Sequence, residues 1–167
     1  MRVYIPATVR MLTQLVAERE VAAVNGTAFA VTPALREAYS AGDDDELAEV
    51  AMAEAARASL RLLASEEPGG EKLPTRRAVI AADVDGATAR PDLDYAVVRL
   101  AGPIAYDRVA SVHVDLADAE DTIAKAIRHV DAADLGDPDA EFVLGDAEDH
   151  ELAWYAAQEL PFLLELL

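Results

Sequence analysis

The chain has 167 residues, no cysteine, and 32 acidic against 14 basic side chains, for a formal net charge of −18. That field opposes nucleic acid, whose phosphates need Lys and Arg, and anionic membrane surfaces; the missing cysteines exclude disulfides, thiolate metal sites and cysteine nucleophiles. Hydrophobic residues at 53% with charged residues at 28% describe a globular composition, and the length suits a single domain able to bury its own core.

Arg2–Pro6 alternates around Val3 and Ile5 and reads as a first strand. Thr8 is placed to cap a helix running to about Glu20, with Leu12, Leu15 and Val16 at helical spacing. Asn25-Gly26 signals a turn before a short strand, Thr27–Val31. Thr32-Pro33 marks a helix start, a hydroxyl cap followed by a proline whose missing N–H costs nothing there, and Gly42 is expected to stop that helix. Asp43-Asp44-Asp45 opens the longest helix, to about Ser65, because carboxylates complement the unpaired N–H groups of a helix N-terminus. Ala48, Met52, Ala56, Leu60 and Leu63 are its expected buried stripe. Residues 66–71, with Pro68, Gly69 and Gly70, read as a surface linker within the single domain 1–167.

Beyond the linker the chain is expected to be β-rich. Arg77–Asp83 and Tyr95–Leu100 read as strands separated by a polar loop, and Ile104–Val109 as one helical turn. Val112, Val114 and Leu116 alternate with Ser111, His113 and Asp115 as a half-buried strand. Asp118 is the expected cap of a helix with Ile123, Ile127 and Val130 inside. Asp131–Asp139 reads as an acidic loop, Phe142–Leu144 and Leu152–Tyr155 as short strands, and Pro161 as the start of a last helix. The expected class is α+β, a mixed β-sheet covered by helices on at least one face.

Two constellations bear on chemistry. Asp83-Val84-Asp85-Gly86, after an apolar strand, resembles the nucleophile loop of haloacid-dehalogenase-type phosphatases, in which the first Asp attacks phosphorus and the second is the acid/base. The resemblance would make Asp146 and Asp149 metal ligands and Lys125 a phosphate-stabilising lysine. The sequence departs from that family where a Thr or Val should follow: Ala87 stands there and Thr88 comes one residue late. The second constellation is Asp146, Glu148, Asp149, His150 and Glu151 before Trp154-Tyr155, where one imidazole among carboxylates suits a divalent metal or an acid/base pair. Asp83, Asp85, Asp146, Asp149 and His150 are therefore the metal candidates. The bland alternative is Asp-Gly turn chemistry and a solvated acidic loop. Ser111, His113 and Asp115 lie at two-residue steps on one strand, which is not how a catalytic triad converges. No P-loop, GxGxxG or GxSxG motif is present, and no cofactor is implied.

The C-terminus Gln158–Leu167 is apolar on more than one face. Trp154 is expected to be largely buried, and Phe162, Leu163 and Leu166 to pack on the same subunit or on a second copy. The opening Arg2–Thr8, the stretch Gly26–Pro33, and Asp149–Tyr155 with Gln158–Pro161 resemble an uncharacterised family of small acidic actinobacterial proteins. Twelve Arg against two Lys, with abundant Ala and Asp, agree with a high-GC genome. The resemblance brings no activity or ligand. The apolar run at the N-terminus reads as too short for a signal peptide, and no stretch reaches the roughly 20 apolar residues of a membrane span; the expected address is the cytoplasm. The leading functional expectation is a non-catalytic domain acting through a protein partner or a homo-oligomer. The alternative is a divalent-metal-dependent, phosphatase-like hydrolase.

Overall fold

In the computed structural model, which describes residues 1–67, 69–70 and 72–167, a seven-stranded sheet runs through the molecule with helices on both faces. Strand β1 (Arg2–Ala7) leads through the Thr8 hydroxyl, which accepts from the Met11 N–H, into helix α1 (Val9–Glu18). A two-residue strand β2 (Glu20–Val21) and the Asn25-Gly26 turn follow, both turn residues at positive φ. A Cβ on Gly26 would stand 3.3 Å from the Leu100 carbonyl oxygen, so the glycine serves close approach as well as the turn. Strand β3 (Thr27–Phe29) precedes α2 (Pro33–Ala38), capped by Thr32; α2 ends before Gly42 is reached. Asp43 caps α3 (Asp44–Ser65), its carboxylate accepting from the Glu46 N–H at 2.9 Å. Pro68 and Glu71 of the expected linker lie outside the described residues.

The second half supplies β4 (Ala78–Asp83), β5 (Thr88–Ala89), β6 (Val97–Arg99), β7 (Ile104–Ala105), β8 (Val109–Val114), α4 (Glu120–Ile127), α5 (Val130–Asp134), α6 (Pro138–Glu148), β9 (Ala153–Ala156) and α7 (Leu160–Leu166). The main sheet has the order β5-β6-β3-β1-β4-β8-β9, and β2 pairs separately with β7. The α+β class holds, but every described pairing is antiparallel, so the sheet is not mixed. The connections explain this: neighbouring strands β1 and β4, or β8 and β9, return in opposite senses after helical excursions. The β1–β4 ladder is the longest, from Arg2 opposite Asp83 to Ala7 opposite Ala78. On the other side of β1 the register holds only at Tyr4 opposite Phe29, beside Pro6, which has no N–H to extend it.

Strand alternation then assigns the two faces. Val3, Ile5, Ile80 and Val112 meet Leu12 and Leu15 of α1 and Leu160 and Leu163 of α7. Phe29, Val79 and Val97 meet Leu47, Ala51 and Ala55 of α3. The buried stripe of α3 is thus Leu47, Ala51, Ala55, Ser59 and Leu60, with Ala56; Ala48, Met52 and Leu63 are only half-buried. Alanine on several faces of the helix makes the stripe ambiguous by hydropathy, and close approach to the sheet selects it. The Ser59 hydroxyl donates to the Ala7 carbonyl at 2.7 Å and accepts from the Ala78 N–H at 3.1 Å, tying α3 to the end of the β1–β4 ladder.

A third core joins Leu60 to Ile123, Val130, Ala140 and Leu144. It overturns two sequence readings. Asp131–Asp139 is not a loop: α5 occupies 130–134 and α6 starts at Pro138. Phe142–Leu144 is not a strand but the middle of α6. Asp137 caps α6 and Pro138 takes its first turn, the same start signal as Thr32-Pro33, while Ala140, Leu144 and Ala147 recur at helical spacing. Asp118 lies in a 3-10 turn and does not cap α4. Ile104–Ala105 is a strand, and only 106–108 form a 3-10 turn. No helix is long and apolar enough to cross a membrane among the described residues.

Candidate functional site

The register of β8 with β9 builds the most distinctive surface of the molecule. Trp154 stands opposite His113, and Ala156 opposite Ser111. Trp154 is 62% exposed, against the expectation that it is buried. The reason is topological: β9 is the end of the sheet order, and among the described residues it pairs with β8 alone. Tyr155, on the opposite face of β9, packs against the core. The Trp154 side chain points from an edge strand to the half-open face.

Beside it, Ser111 Oγ and His113 Nε2 lie 3.0 Å apart. Burial, followed by the nearby Arg2 charge, lowers the His113 pKa from its ordinary value near 6.5, so the imidazole is mainly neutral at pH 7. A neutral imidazole at this distance could accept a serine proton. Ser111 is only 5% exposed, however. Asp115 is engaged elsewhere, both its oxygens held by Arg77 in the buried interior. Among the described residues no carboxylate bonds to the imidazole and the Ser111 hydroxyl is buried, so the geometry is that of a hydrogen bond fixing two neighbours on one strand.

The five metal candidates do not come together. Asp83, at the end of β4, takes two hydrogen bonds from Arg2 at 2.8 and 3.1 Å, which hold its carboxyl below the usual range. Asp85 pairs with Arg108 at 3.3 Å. Asp146 is on α6, Asp149 caps its C-terminus, and the His150 carbonyl accepts from Arg77, which precedes β4. The length of β4 separates the two sets, roughly 20 Å at ~3.3 Å per residue. No group of three or more His, Asp or Glu is arranged to hold a metal ion among the described residues.

The three apolar candidates divide. Leu163 is buried against the sheet, whereas Phe162 is 69% and Leu166 83% exposed. Four residues apart, these two form the outer face of α7, which follows β9 after one 3-10 turn. In that turn the Glu159 carboxylate accepts the Ala156 N–H at 3.0 Å. From Asp146 to Leu167 the chain carries six carboxylates, at 146, 148, 149, 151, 159 and 165, and no Lys or Arg. Sequence reasoning could mark Trp154, Phe162 and Leu166 as large apolar groups. It missed the role of Glu159 because neither the edge position of β9 nor the fold-back of the turn leaves a local signal.

No curated protein and no solved structure matches the chain. A family of unknown function (DUF6912) matches residues 1–164, in agreement with the resemblance to an uncharacterised family read from the sequence. The chain belongs to this family of unknown function.

Proposed function

We propose that this protein is a non-catalytic docking domain that binds a protein partner along the β9 edge, flanked by Trp154 on one face of the sheet and by the outer face of α7, with Phe162 and Leu166, on the other. The observation that carries the reading is the coincidence, in one short segment, of a sheet edge with three large apolar side chains each more than half exposed. Trp is among the residue types that dominate binding energy at protein interfaces and Phe is enriched there, and large apolar side chains left in solvent beside an unpaired sheet edge suit such a contact. The hydrolase alternative draws no support from the arginine-paired Asp83 and Asp85, which stand apart from Asp146, Asp149 and His150.

Photo-crosslinking tests the proposal. A benzophenone amino acid placed at Trp154 or Phe162 in the native host is expected to yield one discrete protein adduct. The same group at Glu49, an exposed position on α3, is expected to yield none. Adducts of equal yield from all three positions, or none from any, would overturn the docking reading.

A further inference from the structure

Backbone geometry at β9 says how a partner would attach. Along an antiparallel edge strand, alternate residues direct both N–H and C=O toward the paired neighbour and the others direct both outward. The Ala156 N–H goes to Glu159, not to β8, so Ala156 is an outward residue. By alternation Trp154 is the next one, and Tyr155 and Ala153 serve the β8 ladder. The outer edge of β9 therefore offers the Trp154 N–H and C=O, while the Ala156 N–H is held under the Glu159 carboxylate and the Ala156 C=O opens the 3-10 turn that follows. Proteins commonly blunt edge strands with a charge or keep them short, and β9 shows both devices.

We infer that β9 is a receiving edge to which an extended segment of a partner, basic and apolar by turns, adds as an eighth strand, with a Lys or Arg of that segment taking Glu159 and freeing the Ala156 N–H. This rests on the docking reading and names its occupant. Charge complementarity selects it: the exposed carboxylates Glu151 and Glu159 flank β9 at its two ends, and with a net charge of −18 on the whole chain they favour a cationic segment and set two copies of this chain against each other. Trp154 supplies an aromatic face for an apolar or cationic side chain one strand away. Main-chain hydrogen bonds to the outward groups give attachment, and the Glu159 carboxylate makes the edge open only to a partner that brings a positive charge.

The test uses the full chain and a fluorescent peptide of about seven residues alternating lysine and valine, a length suited to strand addition. Its binding is followed by anisotropy at moderate salt. The peptide is expected to bind, to slow hydrogen exchange at the Trp154 amide, and to bind about tenfold more weakly to Trp154→Ala and to Glu159→Gln. Glu159→Gln keeps an oxygen for the Ala156 N–H and removes only the charge. An isomer methylated on alternate backbone nitrogens has the same charge but cannot form the ladder, and it is expected not to bind. Equal binding of the methylated peptide, or unchanged affinity for Trp154→Ala, would reduce the interaction to the attraction of a cation to an acidic protein and overturn strand addition. Discrete crosslinks from 154 and 162 together with failure of the lysine–valine peptide would leave the docking reading standing and sink this one.

Discussion

Arg77 and Asp115 form a buried ion pair in which Nε and Nη2 of the guanidinium donate to the two carboxylate oxygens at 2.9 and 2.8 Å. The Arg77 N–H adds a third bond to the same carboxylate at 2.8 Å, and Nη2 also reaches the His150 carbonyl. The side chains are 4% and 0% exposed. One contact thus locks the start of β4, the end of β8 and the turn between α6 and β9.

A buried pair satisfied this fully is tolerable, but either member alone is not. Asp115→Ala or Arg77→Ala is expected to cost about 3–5 kcal/mol, because each leaves a buried charge without its partner. Replacing both, as Arg77→Met with Asp115→Leu, should recover much of that loss. Urea unfolding of the two single variants and the double variant measures it; additive losses would show that the pair is not coupled.

Ser59 presents the same logic with a neutral group. Ser59→Ala removes the bridge between the Ala7 carbonyl and the Ala78 N–H. The expected loss is about 1–3 kcal/mol, the cost of leaving buried backbone groups unpaired. Ser59→Thr keeps the hydroxyl and should recover part of it if the site admits the extra methyl. A loss below about 0.5 kcal/mol for Ser59→Ala would mean that water takes over the bridge.

The lowered His113 pKa couples stability to pH. In the unfolded chain the imidazole takes up a proton as pH falls through about 6.5, while the folded protein still holds it neutral. The unfolded state then binds more protons, so stability falls with pH from near 6.5 down to the lower folded value and is flat in this respect above that window. Replacing His113 with Gln should remove that part of the slope. NMR titration of the imidazole checks the direction directly; a pKa at or above the ordinary value would contradict the assignment.

The two faces of α7 should separate in mutagenesis. Leu163→Ala is expected to cost about 2–5 kcal/mol, as for a buried leucine in a packed core. Phe162→Ser and Leu166→Ser should change stability by no more than about 0.5 kcal/mol, since both side chains stand mainly in solvent. Thermal unfolding of the three variants decides it. A large loss for Phe162→Ser or Leu166→Ser would mean that this outer face is part of the fold and not available to a partner.

Local chemistry alone determined much of this protein. Thr8, Thr32 and Asp43 announce their helices because a cap acts within three residues, and β1, β4, β8 and β9 are legible from short-range alternation or apolar content. The acidic character and the absence of thiol chemistry need no coordinates at all. The same local rules misread 131–144, where small alanines dilute the helical period and Phe142-Val143-Leu144 imitates a strand. They also placed Trp154 inside, because hydrophobicity states a preference for burial and not whether a neighbour exists to satisfy it. That β9 ends the sheet, that Asp83 and Asp85 meet arginines while the His150 cluster sits beyond the other end of β4, and that Glu159 folds back onto Ala156 are consequences of strand order and register. These depend on contacts between residues tens of positions apart, where no local pattern records which side chain will stand opposite which, and only the packed sheet decides.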